Sequence, residues 1–405
     1  MISHKSSGGT NVALSSARES GLEESPTTHK QRSVLLIYHV LPDLESFSAF
    51  RGGALAHTVA HLMNLDPSRE VVCVSADDTW GFPKARIHVM PHLDKYGSLR
   101  GRRHLPPWIT GPIYRQIFKP LLRLVKPGDV VWFHSTPGVG AALQSQLRQR
   151  GVKLVYHTHE DIDFRALRQA LHAFTADAYV FVSEYVERYW TALFPKMKRT
   201  YVIHNGASEE LFYPPSSGIE RNNEPPVVLY VGRLHEQKGV HVLMKAMDLL
   251  QQRGIAATCK VVGSAFSGGS KPTPYVEGLL AAKPANVEFI GFRSHAEVAD
   301  EFRAADILCV PSIWQEAFGK VNVEAMACAL PVVASRVGGI PEIAREGGIV
   351  LVGPNSAEAL AEAMIPLLTG REARLKLATE ALEAFRRCFT WRHALAKYEQ
   401  VLREL

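Results

Sequence analysis

The stretch VVLYVGRLHEQKGVHVLMKAM, Val227 to Met247, decides the fold. An apolar, β-branched run reads as a buried strand; a glycine and a polar loop follow, and apolar residues then return at helical spacing. A strand, a loop and an amphipathic helix in that order form one unit of a parallel sheet. Upstream, strand-like runs recur at SVLLIYH (33–39), EVVCVS (70–75), DVVWFH (129–134), KLVYHTH (153–159) and AYVFVS (178–183), separated by segments such as GALAHTVAHLMNL and GAALQSQLRQR. Downstream, ATCKVVG, VEFIGF, DILCVP, PVVAS and GIVLVG continue the alternation. Near-continuous apolar strands between amphipathic helices predict parallel sheets covered on both faces. PPSSGIERNNEPP (214–226) interrupts the pattern and reads as a linker. The expected class is therefore α/β, with two doubly wound domains, 32–213 and 227–385, facing a central cleft. The chain turns helical near Ser356, and its last segment, 386–405, predicts an amphipathic helix packing toward the first domain.

Composition narrows the classes. A chain of 405 residues with 46% apolar and 21% charged residues can bury ordinary globular cores. No apolar run approaches the ~18–20 residues needed to span a bilayer. Residues 1–31, rich in Ser, Thr, Gly and Glu, lack the apolar core and cleavage site of a secretory signal and read as a disordered leader. The odd, widely spaced Cys73, Cys259, Cys309, Cys328 and Cys388 predict free thiols and a reduced, cytoplasmic compartment. A net charge of +6 points to an anionic partner without saying which.

Open α/β sheets bind ligands at the carboxyl ends of their strands, and three motifs fall there. In FRGGALAH (50–57), Gly52 and Gly53 open a helix whose free amides suit a phosphate, although a glycine pair also serves as a plain turn. In the opening stretch, Lys238 falls at the helix start and Arg233 in the preceding loop, where the macrodipole disfavours cations unless an anion lies between them. In QEAFGKVNVEAMA (315–327), Lys320 again occupies a first turn, and Glu324 is the sole charge in VNVEAMACALPVVAS (321–335). A carboxylate inside an apolar helix costs several kcal/mol unless partnered by protein or by ligand hydroxyls.

These residues carry a resemblance. GRLHEQKG, NVEFIGF, the spacing of Glu316 and Glu324 and the following PVVASRVGGIPEI look like the donor-binding domain of glycosyltransferase family 4. FVSEYVER (181–188) and IHNGASEELFYP (203–214) resemble that family's approach to the domain junction, and the likeness is looser in the first half. The resemblance implies the GT-B fold of two Rossmann-like domains. It also implies sugar transfer from a nucleotide-diphosphate sugar, UDP favoured, to a hydroxyl with retention of configuration. Glu324 would hold the ribose hydroxyls, so that this interior acid is partnered only when donor is bound. Glu316 and the backbone of Ala317, Phe318 and Gly319 would meet the sugar. Arg233 and Lys238 would neutralise the diphosphate, Gly52–Gly53 would close on it from the other domain, and Phe292 would lie along the base. Retention without an enzymic nucleophile implies departure and attack on one face, with a diphosphate oxygen helping to deprotonate the acceptor. The resemblance implies no metal or other cofactor.

In VYHTHEDID (155–163), His157 and His159 share one strand face, and the family pattern favours His159 as the catalytic residue near the sugar. A structural hydrogen-bonding role stays open for these histidines. A metal held by His157, His159, Glu160, Asp161 and Asp163 is not expected, because ligands on so short a turn point several ways. Two departures from the family stand out: VVGSAFSGGSKP (261–272) replaces a short glycine turn, and Ala329 replaces a glycine, costing about 1 kcal/mol if left-handed.

The acceptor is less legible. Between Lys84 and Lys126 lie Arg86, Lys95, Arg100, Arg102, Arg103, Arg115, Lys119 and Arg123, with Tyr96, Trp108, Tyr114 and Phe118 interleaved and Asp94 the sole acid. This reads either as a surface for anionic lipid, implying peripheral membrane association and a glycan or lipid-linked acceptor, or as a solvated basic face. Nucleic acid is not expected, since no recognition motif accompanies the charge. Competing readings are a nucleotide-sugar epimerase of the same fold, a transferase for a soluble small-molecule acceptor, and a catalytically silent binding protein, which would not keep His159.

Overall fold

The computed structural model describes residues 35–42, 54–63, 66–74, 86–89, 107–159, 165–265 and 272–405. The expected leader, Gly52 and Gly53, Glu160, Asp161, Asp163 and five cations of the basic segment (Lys84, Lys95, Arg100, Arg102, Arg103) lie outside the described residues.

Among the described residues the alternating pattern becomes two all-parallel sheets. The first contains β1 (Ile37–Val40), β2 (Glu70–Val74), β3 (Arg86–Val89), β4 (Val130–His134), β5 (Lys153–Thr158), β6 (Ala178–Phe181) and β7 (Thr200–Val202), in the order β3-β2-β1-β4-β5-β6-β7. The second contains β8 (Val227–Val231), β9 (Thr258–Val262), β10 (Val287–Gly291), β11 (Ile307–Val310), β12 (Val332–Ser335) and β13 (Ile349–Val352), in the order β10-β9-β8-β11-β12-β13. Both orders run outward from a first strand and then reverse. That is the doubly wound arrangement, with its ligand crevice at the reversal.

The chain between β7 and β8 is held rather than loose. Arg221, 8% exposed, donates to the carbonyl oxygens of Cys328 (2.7 Å), Ala329 (2.8 Å), Phe302 and Arg303. The final helix, Trp391–Glu404, carries Trp391, Ala394, Tyr398 and Val401 on one stripe and buries them against Ile37, Val130, Trp132 and Val155 of the first sheet. The C-terminal helices thus cross back to the first domain, as a stripe at helical spacing requires a sheet face to cover it. Four of the five cysteines are buried and all are free. No helix among the described residues is long and apolar enough to cross a membrane.

Candidate functional site

The loop after β8 is pressed against the end of β11. Gly239 has φ +70, and a side chain there would strike the carbonyl oxygen of Pro311, so only glycine allows this approach. The approach sets Lys238 on Glu316: Nζ lies 2.6 and 2.8 Å from the two carboxylate oxygens, and Ser312 Oγ donates to Oε1 at 2.6 Å. Two expectations need correction here. Lys238 ends a 3-10 turn, Glu236–Lys238, and the helix starts only at Val240. Its anion is also already present in the chain, because a residue 78 positions away folds onto it. Arg233 is exposed in the same loop and makes no side-chain hydrogen bond or ion pair among the described residues.

Gly319 (φ +86) precedes the helix Lys320–Ala327. The N–H groups of Ala317, Phe318 and Gly319 donate to nothing among the described residues, leaving a row of donors beside Glu316. Phe318 offers only its backbone, since its side chain is 3% exposed and stacks on His204. Gly338 backs this turn at φ +54, where a side chain would overlap the backbone of Glu316.

Glu324 is 7% exposed, as an interior acid should be. Contrary to expectation it does not depend on a ligand for its partner: Lys320 Nζ lies 3.3 Å from Oε1, one helical turn away. The same pair explains why a lysine stands in a first turn. Phe292, just past β10, is 47% exposed, and Trp314, which sequence reasoning passed over, is 54% exposed.

The two domains meet at the carboxyl ends of their strands. Ser183, after β6, donates through Oγ to the carbonyl oxygen of Ala317 at 2.5 Å. Glu342 accepts from the backbone N–H of Glu184 (2.7 Å) and Tyr185 (2.6 Å), at the start of the helix Glu184–Leu193, and meets His204 Nε2 at 3.3 Å. Burial raises the Glu342 pKa, but these bonds outweigh it and hold the carboxyl below its usual range. From the first domain His57, in the helix Ala54–Leu62, reaches His295 of the second, with ring centroids 4.3 Å apart. Burial, then the neighbouring His295 and Lys320, push the pKa of His57 down to about 3.

His157 and His159 do share a face, their ring centroids 4.0 Å apart. Nitrogens of His134, His157 and His159 lie within 4.8 Å of one another, yet they are not a free ligand set. His134 Nδ1 bonds His159 Nε2 at 3.0 Å, and His134 Nε2 bonds His39 Nδ1 at 2.9 Å. Neither ring nitrogen of buried His157 has a hydrogen-bond partner among the described residues. Burial holds the His159 pKa down to about 3 and those of His134 and His157 well below the usual value. Sequence reasoning missed His39, His134, Glu70 and Ser135, which all approach this point. The available signal was that SVLLIYH, DVVWFH and KLVYHTH each end in histidine.

Two further expectations resolve in detail. Ala329 is left-handed, φ +51. In the basic segment Arg115, Lys119, Arg123 and Lys126 are exposed, whereas Phe118 is 3% exposed and belongs to the core, so that aromatic side chain is unavailable to a surface.

The fold and the cleft define the GT-B class, and comparison with known proteins gives the family. The sequence matches the family described as Glycosyltransferase Family 4 over residues 52–211 and that described as Glycosyl transferases group 1 over 216–384. The chain belongs to glycosyltransferase family 4. It is 35% identical over 205 residues to D-inositol 3-phosphate glycosyltransferase of Corynebacterium glutamicum, covering 48% of this chain and 49% of that protein. It is 27% identical over 242 residues to spore coat protein SA of Bacillus subtilis, covering 55% and 64%. The match thus spans about half the length of the inositol phosphate transferases. Among solved structures, Anabaena Alr3699/HepE in complex with UDP and glucose superposes with TM-score 0.72 at 22% identity, covering 91% of this chain and 99% of that one. Sucrose-phosphate synthase of Thermosynechococcus elongatus does so with TM-score 0.72 at 22% identity, covering 91% and 98%.

Proposed function

We propose that the chain is a retaining glycosyltransferase that moves a hexose-type sugar from a nucleotide-diphosphate sugar, UDP-linked by preference, to a hydroxyl acceptor. The observation that carries this reading is the joint position of Lys238, Glu316 and the free amides of Ala317, Phe318 and Gly319 at the ends of β8 and β11. Donors and a cation fixed where a diphosphate departs stabilise developing negative charge without reorganising. Arg233, exposed in the same loop, supplies a second cation, so the leaving group is neutralised by the chain's own charges. Glu324 grips the ribose hydroxyls through the oxygen that Lys320 leaves free, Phe292 borders the base, and His159 meets the sugar from the first domain. The helix Ala54–Leu62 carries His57 to the cleft. The UDP preference draws support from the Anabaena protein, whose structures hold UDP, UDP with glucose, and UDP-glucose.

A cytoplasmic transferase of cell-surface glycan or glycolipid fits this site, with exposed Arg115, Lys119, Arg123 and Lys126 beside an anionic surface. Incubation with UDP-, GDP- and ADP-sugars, following nucleotide release with and without acceptor, tests the reading. Release from UDP-sugars is expected; release from none, together with no nucleotide binding, removes it. His159→Ala should lower turnover about 100-fold while the fold persists.

A further inference from the structure

One bond crosses from the first domain into the row of amides beside Glu316. Ser183, 0% exposed, stands just past the carboxyl end of β6 and precedes the helix Glu184–Leu193. Its Oγ accepts from the Val186 N–H at 3.1 Å, an N-cap. A cap needs only a lone pair on the side-chain oxygen. The hydroxyl proton is left over, and it goes across the domain junction to the carbonyl oxygen of Ala317. The other two amides of that first turn, Glu184 and Tyr185, are taken by Glu342 of the second domain, so the helix start is fixed against the same wall.

A trans peptide points its C=O and its N–H in opposite directions. Whatever holds a carbonyl oxygen therefore aims the N–H of the next residue the other way. Gly339 N–H holds the Glu316 carbonyl at 2.8 Å and so aims the Ala317 amide. Asn322 holds the Gly319 carbonyl through its own N–H (3.0 Å) and Nδ2 (2.7 Å) and so aims the Lys320 amide. Both of these anchors belong to the second domain. The Ala317 carbonyl, which aims the Phe318 amide, is held by Ser183 of the first domain and by no other group among the described residues. Gly339 shows how tight the contact is. Its φ of −83 suits any residue, yet a Cβ there would lie 2.6 Å from the Ala317 carbonyl oxygen and 3.1 Å from Ser183 Oγ. Glycine serves here for space, since any side chain would crowd both ends of the bond.

We propose that Ser183 is a positioning residue for sugar transfer: from the first domain it aims the Phe318 amide into the donor seat of the second. The proposal rests on the transferase reading of the cleft. The Ala317 and Lys320 amides keep their direction within the second domain alone. The Phe318 amide keeps its direction only while the two domains are docked at this junction. Docking of the domains and completion of the donor seat are thereby one event, and a nucleotide sugar meets the full row of donors only in the assembled cleft. An N–H fixed in advance stabilises charge as the diphosphate departs, whereas a peptide free to turn must be reoriented at every turnover. Ser183 acts through this peptide plane, its own hydroxyl being committed at both ends.

Two variants of the full chain separate aiming from capping. Glycine is tolerated at an N-cap, so Ser183→Gly should melt within about 3 °C of the wild type. It cannot donate, so its kcat with a UDP-sugar should fall about 10-fold while the donor KM stays within about 3-fold, as when an interaction made in the transition state is lost. Ser183→Thr, which caps and donates alike, should keep kcat within about 3-fold of the wild type. A folded Ser183→Gly with kcat within about 3-fold of the wild type, or a Ser183→Thr as slow as Ser183→Gly, overturns the proposal. With 13C-alanine and 15N-phenylalanine labels, the signal of the Ala317–Phe318 peptide reads the aim without turnover. It should move in Ser183→Gly and stay near its wild-type position in Ser183→Thr; a signal unmoved in Ser183→Gly also overturns the proposal. If Ser183→Gly fails to fold, Ser183→Cys, whose thiol donates only weakly, is read in its place with the same expectations. A wild type that uses no nucleotide sugar sinks the transferase reading alone, since the peptide signal still decides whether Ser183 sets the plane.

Discussion

The two walls of the cleft are built on opposite electrostatic plans. The second domain presents ion pairs that solvent still reaches: Lys238 and Glu316 side chains are 27% and 16% exposed, Lys320 and Glu324 15% and 9%. The first domain presents a line of hydrogen-bonded imidazoles joined to a single carboxylate, with His39 and Glu70 at 0%. A pair that remains near water, as Lys238–Glu316 does, can exchange one partner for an anion at modest cost, because an ion pair in a high-dielectric setting is worth only about 0–1 kcal/mol. The contrast sets ion pairs that solvent reaches on one wall against buried, hydrogen-bonded rings on the other.

The largest expected effect breaks the charged wall. Glu316→Ala should reduce nucleotide release from a UDP-sugar about 100- to 1000-fold, the scale of one lost electrostatic stabiliser. Thermal melting should barely move, because the freed Lys238 can reach water. A collapsed fold, or unaffected turnover, would assign Glu316 to architecture instead.

Acid sharpens the comparison through stability. His159 has a native pKa near 3 against 6.5 ordinarily, and His134 and His157 are also lowered. Below about 6.5 the unfolded chain binds protons that these native rings refuse, so their contribution is present above that value and lost as pH falls toward 3. Each such ring can remove up to ~1.4 kcal/mol per pH unit in that window. Glu342, lowered from 4.5 by its bonds across the domain junction, adds a loss only below that carboxylate range. Urea unfolding at pH 7.5, 6 and 5 should show stability already falling before carboxylates titrate; a flat profile from 7.5 to 5 would mean the first wall is not neutral.

The smallest effect lies behind the charged wall. Ala329 sits at φ +51 in the turn that closes the Glu324 helix, so Ala329→Gly should stabilise the protein by up to about 1 kcal/mol and leave catalysis unchanged. Urea midpoints measure it, and a loss of stability would show that the buried methyl outweighs backbone strain.

The same contrast explains what the sequence disclosed. Strands such as Val227–Val231 and Val332–Ser335 are apolar runs between helical periods, and both sheets were legible from them. The second wall was legible because its groups lie close together in sequence: Glu316, Gly319, Lys320 and Glu324 occupy one turn and one helix. Their pairing was not, because Lys238 reaches Glu316 through tertiary approach across 78 positions, and Glu324 takes Lys320 where a ligand was expected. The line of bonded histidines in the first sheet was hidden for the same reason. Its members come from four strands, and Tyr398 lies 359 positions from His39. Only strand order places them in one line, and a single sequence does not print that order.

The most direct test is calorimetric titration of UDP into the wild type and into Glu324→Ala. Saturable one-to-one binding by the wild type, weakened about 10- to 100-fold in the variant, is the predicted result, the scale of a lost charged hydrogen bond to the ribose. Equal affinities, or no binding of UDP by either protein, would contradict a nucleotide seat built around this interior acid.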